Sequence, residues 1–184
     1  MSKYLLGILC VAVLAIFALP VRAADDVVTA VHGTVTKVDS GTKTILVKTK
    51  DGTEHSIHYV DKTAIHGGEA TEVGAKDSYK GIKEGSDVVV HYTEKGTVKT
   101  GVEIDRVGKD GVKTVDGTVE KVGEGGKTVV VKAADGTEHT FRVAGHDTAA
   151  SAEEIGKGAD KGAKVTVYYT ESAGKKVAHF FEKI

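Results

Sequence analysis

The chain has 184 residues, with 25 basic and 26 acidic side chains and a formal net charge of −1. It contains one cysteine, one methionine, one proline and no tryptophan. A single cysteine excludes a disulfide framework within the chain, and the balanced charge excludes the strong positive field with which many proteins attract nucleic acid.

Residues 1–23 have the pattern of a secretory signal peptide. Lys3 supplies a positive start, Leu5 to Leu19 form an almost continuous apolar run, and the segment ends on the small residue Ala23. The run is shorter than the ~20 apolar residues that a membrane-spanning helix needs. We therefore expect cleavage after Ala23, a periplasmic or secreted protein, and no stable membrane insertion after cleavage. A retained membrane anchor is the alternative.

Cleavage would also change the chemistry of the chain. Cys10, Met1 and Pro20 all lie in the predicted signal peptide, so the remaining chain would have no thiol and no thioether. Loss of Lys3 and Arg22 would shift the net charge from −1 to −3. Thiol catalysis, thiol redox exchange and cysteine-based metal sites are thereby excluded.

The rest of the sequence consists of two related copies. Residues 33–55 and 117–139 are identical at 15 of 23 positions, at a constant spacing of 84 residues. This period exceeds the roughly 20–50 residues of solenoid repeats, so each copy must be a folding unit of its own. We expect a first domain over 24–107, a linker over 108–111 and a second domain over 112–184.

Each copy has the pattern of five β-strands. The segments are rich in Val, Ile and Thr, and Asp-Gly or Ser-Gly pairs, which favour hairpin turns, separate several of them. The predicted strands cover 31–38, 42–49, 53–60, 86–94 and 97–107 in the first copy, and 112–122, 127–133, 137–144, 163–171 and 175–182 in the second.

A non-strand segment separates the third and fourth strands of each copy. In the second copy, Thr148 to Ile155 is rich in helix-forming residues, has Asp147 or Thr148 as a candidate N-cap, and precedes Gly156. These features predict a short helix. In the first copy, residues 69–73 predict a weaker helix.

Three strands, a helix and two strands is the element order of an OB-fold. The predicted fold class is therefore all-β, with two tandem small five-stranded OB-like barrels. Apolar residues of the first strand lie on one face up to Val35, but Val38 falls on the opposite face. This change predicts a β-bulge near Thr36 and Lys37, which would return Val38 to the first face. An SH3-like barrel, which lacks the helix, and an immunoglobulin-like sandwich are the alternatives.

Short motifs in both copies carry a resemblance to a known family. In the first copy they are Gly33-Thr34-Val35, the strand Thr44 to Lys48, the turn Asp51-Gly52-Thr53, and the segment Glu84 to Val90. The second copy matches over 117–119, 128–132, 135–137 and 162–167. This pattern resembles a bacterial exported domain family of unknown function. The resemblance implies an OB-like barrel outside the cytoplasm and implies no catalytic residue.

Histidines are the strongest candidates for a binding site. Imidazole is a frequent ligand of zinc and copper, and the first copy holds five histidines. His58 and His91, with His32 as a third ligand, could meet across neighbouring strands. His55 and His58 are three apart on one strand, so their side chains point to opposite faces. Metal binding at His32, His58 and His91 is the alternative to ordinary strand-face histidines. His55 recurs as His139 and is interpreted as part of a conserved turn and strand entry.

Other site chemistries are disfavoured. Acidic residues near the junction, among them Asp105 and Asp116, do not have the spacing of a calcium loop. A Gly-x-Ser-x-Gly motif and a phosphate-loop motif are absent from the sequence. We expect a non-enzymatic binding or envelope-associated interaction module without a cofactor and without nucleic-acid binding. Its partner would be a small ligand or an envelope protein, which could pair with 88–90 or 129–131 if these strands form uncovered edges.

Overall fold

The computed structural model describes residues 26–67, 78–108, 111–146 and 148–184. The predicted signal peptide, the weak helix at 69–73 and part of the predicted linker lie outside the described residues. The described chain is all-β with one short α-helix, as the sequence predicted. Among these residues, no helix is long and apolar enough to cross a membrane.

The ten predicted strands are confirmed, and three short strands occur in addition. The first half of the chain contains β1 (Val28–Asp39), β2 (Thr44–Lys48), β3 (Glu54–His58), β4 (Ala64–His66), β5 (Ser78–Tyr79), β6 (Ile82–Lys83), β7 (Asp87–Lys95) and β8 (Val98–Arg106). The second half contains β9 (Lys113–Val122), β10 (Thr128–Ala133), β11 (Glu138–Val143), β12 (Lys164–Ser172) and β13 (Lys175–Lys183).

The predicted helix of the second half is also confirmed. Helix α1 spans Ala149–Ile155, and the side chain of its N-cap residue Thr148 accepts a hydrogen bond from the backbone N–H of Ser151. This bond satisfies one of the donors that the first turn of a helix leaves free. Short 3₁₀ turns occur at Glu124–Gly126 and Gly156–Gly158.

The strand order is that expected of an OB-like barrel. In the second half, β10-β11-β13-β12-β9 form a closed barrel, in which β11 and β13 are parallel. In the first half the equivalent strands follow the same order, β3-β2-β1-β7-β8. The end strands β3 and β8 form a short parallel pairing. The predicted bulge is present, because the register of β1 against β2 shifts between Val35 and Lys37. The boundaries proposed for the two domains stay a prediction.

A glycine allows the first strand of each half to pass close to the second. A Cβ atom on Gly33 would lie 2.4 Å from the carbonyl oxygen of Lys48, and one on Gly117 would lie 2.5 Å from that of Lys132. Side chains are never accommodated so close to a backbone oxygen. The motif shared by the two copies therefore reflects a steric requirement of the barrel.

Strand β7 is buried on both faces, and this positions the candidate site. Val88 and Val90 belong to the core of the first half, whereas Val89 packs with Val112 and Tyr168 in a cluster between the two halves. Because side chains alternate along a strand, His91 lies on the same face as Val89. The outward face of β7 therefore meets the second half instead of solvent.

Further contacts join the halves. The backbone N–H of Val28 donates to the Ser151 hydroxyl at 2.9 Å, and Val107 forms an isolated parallel bridge with Val112.

The segments at 88–90 and 129–131, predicted as possible pairing edges, are not uncovered. Strand β7 pairs with both β1 and β8, and β10 pairs with both β9 and β11. Backbone pairing with another chain at these two segments is therefore excluded.

Candidate metal centre

Four side chains with metal-ligating atoms converge at the boundary between the two halves. They are His91, Glu103, Asp105 and His179, and one ligand atom from each lies within 4.8 Å of all the others. We refer to these four residues as the inner cluster. Three come from the first half and one from the second, so neither half supplies the cluster alone.

Local strand geometry explains why these residues meet. Glu103 and Asp105 are two apart on β8 and therefore lie on one face, and Glu103 is the register partner of His91 on β7. His179 lies on β13 where the register against β12 shifts, between the partners Phe180 and Ala178. A bulge re-aims a side chain. Here the bulge residue His179 is directed at Asp105.

Three atoms of the inner cluster are buried without a hydrogen-bond partner. They are His91 Nε2, Asp105 Oδ2 and His179 Nδ1. Asp105 Oδ2 lies 3.1 Å from His179 Nδ1 and 3.6 Å from His91 Nε2, but it is hydrogen-bonded to neither nitrogen. Leaving such groups unsatisfied costs about 1–3 kcal/mol each, and more for a charged group. Their convergence on one point is the arrangement that a bound cation would satisfy.

Two more histidines surround the inner cluster. His146 Nε2 is hydrogen-bonded to His91 Nδ1 at 2.8 Å and lies 3.5 Å from Glu103 Oε2. In the tautomer in which His91 Nδ1 donates this bond, His91 Nε2 carries the lone pair that a metal requires. His66, at the end of β4, places its Nδ1 2.8 Å from Glu103 Oε1 and 2.9 Å from Asp105 Oδ1.

Burial and neighbouring charge set the protonation of these groups. Burial lowers the pKa of His91 to about 3, so its imidazole is neutral at physiological pH. Burial, together with the adjacent Asp105 charge, raises the pKa of Glu103 above its ordinary value. Burial acts in the same direction on Asp105, but the nearby His179 and His66 outweigh it and lower the pKa of that carboxyl. The inner cluster thus contains an ionised carboxylate beside a neutral imidazole.

The donor atoms define the chemistry of the cluster. Imidazole nitrogen with carboxylate oxygen suits zinc, copper(II) and other divalent transition metals, whereas soft monovalent ions prefer thiolate or thioether sulfur. The only sulfur-containing residues of the sequence are Met1 and Cys10, which lie outside the described residues. The donor atoms of the cluster would therefore suit a borderline or hard divalent ion.

The structure places the three histidines predicted as ligands in different environments. His91 belongs to the inner cluster. His32 lies on β1, where its Nε2 is 2.9 Å from Asp87 Oδ1 and its Nδ1 is 3.1 Å from the Tyr168 hydroxyl. His58 lies at the end of β3 and, within the described chain, its side chain has no hydrogen bond or ion pair. The structure thus does not bring His32, His58 and His91 together.

Sequence reasoning missed most of the cluster. Asp105 was considered only as a ligand of a calcium loop, which its spacing disfavours; the structure places it in β8, within the predicted strand 97–107, with its side chain fully buried. Sequence reasoning gave no role to Glu103, His146 or His179. One signal was present in the sequence: Glu103 and Asp105 are two residues apart on the predicted strand 97–107, so their side chains share one face of that strand. The contribution of the second half had no such signal.

Fold and cluster together define a class: an all-β protein of two small barrel-like halves with a buried His and carboxylate cluster between them. No protein-family model matches the chain, and no curated protein matches it. Among solved structures, Ag(I)CusF is similar at 15% identity and a TM-score of 0.31, over 43% of this chain and 96% of that chain.

Two further CusF structures, both from Escherichia coli, are also similar. A CusF-Ag(I) structure of residues 10–88 has 15% identity and a TM-score of 0.34, over 46% of this chain and 98% of that chain. An apo-CusF structure of residues 6–88 has 15% identity and a TM-score of 0.34, over 48% and 96%. With this identity and these TM-scores, the likenesses carry no conclusion about ligand or activity.

Proposed function

We propose that this protein is an exported, non-enzymatic metal-binding protein that holds one divalent transition metal ion, zinc or copper(II), in the inner cluster. The observation that carries the proposal is the convergence of three buried ligand atoms that form no hydrogen bond, His91 Nε2, Asp105 Oδ2 and His179 Nδ1. Buried polar atoms are nearly always paired in folded proteins, so three at one point indicate a missing partner.

The charge of the cluster supports a cation as that partner. Asp105 is fully buried, and its lowered pKa keeps it ionised. Burying a carboxylate is unfavourable unless its charge is compensated, and a metal ion at Asp105 Oδ2, the oxygen without a hydrogen bond, would offset that charge at short range. His91 is neutral and needs no deprotonation before it can bind an ion.

The number of ligands favours binding over catalysis. With Glu103, the inner cluster offers two nitrogen and two oxygen ligands, and four is the number of ligands that a structural zinc site uses. A catalytic zinc site keeps one position open for water or substrate. Because the four ligands are buried or nearly so, we propose a closed site, which suits storage, buffering or delivery of the ion.

The test is calorimetric titration of the purified protein with zinc and copper(II). We expect one ion per chain with micromolar or tighter affinity. His91→Ala and Asp105→Asn should each weaken binding by on the order of a hundredfold, because the first removes a ligand and the second removes the negative charge of one. The matched control is His58→Ala, which removes a histidine outside the cluster and should bind as the unmodified protein does.

Two outcomes would overturn the proposal. One is the absence of binding at millimolar metal. The other is equal affinity of the His58→Ala, His91→Ala and Asp105→Asn variants, which would place bound metal elsewhere. Circular dichroism of each variant separates loss of ligands from loss of folding.

A further inference from the structure

The inner cluster has a second, outer set of ligand atoms on its solvent side. We propose that His66 Nδ1, Glu103 Oε1 and Asp105 Oδ1 form an entry position, through which the metal ion passes between solvent and the inner cluster. This inference rests on the proposed function, and it assigns to His66 a kinetic role in loading and release.

A gradient of side-chain exposure supports this route. His66 is 55% exposed, Glu103 12% and His179 7%, whereas Asp105 and His91 are fully buried. An ion that arrives from solvent meets His66 first. The imidazole of His66 can bind the ion while water molecules still coordinate the ion's solvent side. The exposed imidazole therefore offers an intermediate environment between bulk water and the buried site.

The two carboxylates connect the outer and inner positions. Asp105 directs Oδ1 at His66 Nδ1, at 2.9 Å, and directs Oδ2 at His179 Nδ1, at 3.1 Å. Glu103 Oε1 lies 2.8 Å from His66 Nδ1 and 3.9 Å from His179 Nδ1. A carboxylate can hold an ion by either oxygen, so the ion can move inward by exchanging oxygens of the same residue. Neither carboxylate has to rotate away from the cluster.

The backbone holds His66 in this position. Strand β4 pairs in parallel with β8, and His66 is the register partner of Asp105. His66 Nδ1 is also hydrogen-bonded to Asp105 Oδ1. A metal ion at the entry position would replace this proton-mediated contact with a coordinate bond.

Positive charge near His146, on another partly exposed side of the inner cluster, disfavours entry of a metal ion by that route. His146, whose side chain is 18% exposed, lines a cavity of about 500 Å³ together with Lys127 and Arg142. Two cationic side chains repel an approaching divalent cation. The ion-pair partners of His66 are instead the carboxylates of Glu103 and Asp105, which attract a cation, so the path past His66 is favoured.

The experiment compares His66→Ala with the unmodified protein and with His58→Ala by stopped-flow kinetics. Zinc uptake is followed by competition with a fluorescent zinc indicator, and release is followed after mixing with excess chelator. If His66 acts only along the path, its loss slows uptake and release by the same factor, because both directions cross one barrier. We expect about tenfold slowing of each rate and a Kd within about threefold of the original, with His58→Ala unchanged.

Each alternative outcome has a distinct meaning. Unchanged rates in His66→Ala, or a Kd weakened tenfold with an unchanged uptake rate, would overturn the entry role. Two zinc ions bound per unmodified chain would also overturn it, since the outer position would then be a stable site. Failure of the unmodified protein to bind either zinc or copper(II) would instead overturn the proposed function. A melting temperature of His66→Ala equal to that of the unmodified protein shows that the fold is intact.

Discussion

Asp105 Oδ2 lies 3.1 Å from His179 Nδ1, and this contact joins a strand of the first half to a bulge of the second. The two atoms are buried and have no hydrogen-bond partner. An ion bound between them would link the halves by coordinate bonds. Metal binding and the stability of the interface between the halves should therefore be coupled.

The first prediction concerns this coupling. Zinc at a hundred times its Kd should raise the free energy of unfolding by about 2.7 kcal/mol, which corresponds to an increase of several degrees in melting temperature. Asp105→Asn keeps the size of the side chain but removes its charge, so the zinc-induced increase should largely disappear. Differential scanning calorimetry with zinc and then with excess chelator measures both effects. A zinc-induced increase of the same size in Asp105→Asn would contradict this prediction.

The second prediction concerns the choice of ion. Since the inner cluster offers nitrogen and oxygen ligands, affinity should decrease from copper(II) to zinc to cobalt(II). Silver(I) should bind at least tenfold more weakly than copper(II), because soft ions prefer sulfur ligands. Competition titrations give the order, and the visible absorption of the cobalt complex reports its geometry. Silver binding tighter than copper(II) binding, together with insensitivity to His91→Ala, would contradict the prediction.

The third prediction tests the contact between the halves away from the inner cluster. Tyr168, in the second half, is buried; its hydroxyl lies 3.1 Å from His32 Nδ1 of the first half and donates to Glu182 Oε2 of the second half at 2.8 Å. Tyr168→Phe should therefore lower the free energy of unfolding by about 1 kcal/mol. Tyr169→Phe is the matched control, because the Tyr169 hydroxyl makes no hydrogen bond within the described chain. Urea unfolding measures both variants, and equal losses would argue against a role for the Tyr168 hydroxyl.

The fourth prediction tests the close approach of strands at Gly117. In Gly117→Ala the new methyl group would clash with the carbonyl oxygen of Lys132, so the variant should lose about 2 kcal/mol of stability. At Gly156 the nearest atom to an added Cβ is 3.7 Å away and the backbone is in the ordinary helical region. Gly156→Ala should thus change stability by less than about 0.5 kcal/mol. Thermal unfolding of the two variants is the comparison, and similar losses would refute the steric explanation.

The fifth prediction concerns acid stability. The backbone N–H of Thr137 donates to Asp135 Oδ1 at 2.8 Å, and this bond lowers the pKa of the Asp135 carboxyl. A lowered folded-state pKa stabilises the protein above the unfolded pKa of about 3.9, and the contribution disappears as the pH falls through the folded pKa. Asp135→Asn keeps the acceptor oxygen but cannot ionise. Its deficit in stability relative to the unmodified protein should shrink between pH 7 and pH 3 in urea unfolding. A deficit independent of pH would contradict this cause.

Much of the fold could be predicted because its determinants are local. Alternating valines, Asp-Gly turns and the duplicated Gly33 and Gly117 motifs specify strands and hairpins within short distances along the chain. The bulge at Thr36 was also predictable, since an apolar alternation that changes face requires an extra residue. Strand β4 was missed, because three residues are too few to produce an alternation pattern, and its pairing with β8 brings His66 to Asp105.

The candidate site likewise has one residue that the sequence could indicate and others that depend on the tertiary structure. His91 could be selected from the sequence as an imidazole on a predicted strand, but His32 and His58 were chosen with it on the expectation that they meet it across neighbouring strands, and the register pairs His32 with Val89. Side-chain direction across an interface depends on how two folded units pack. The sequence of neither unit encodes this packing in a periodic pattern, and the bulge that directs His179 into the cluster is visible only in the register of β12 and β13.

The sequence alone therefore determined the all-β class, the two related halves, the approximate positions of ten strands and the absence of sulfur ligands after residue 10. The tertiary structure decided which outward strand faces meet, and with them the inner cluster of His91, Glu103, Asp105 and His179. The physical reason is the range of the interactions. Turns and alternation act over a few residues, whereas ligands on different strands of two halves become neighbours only after both halves have folded and packed together.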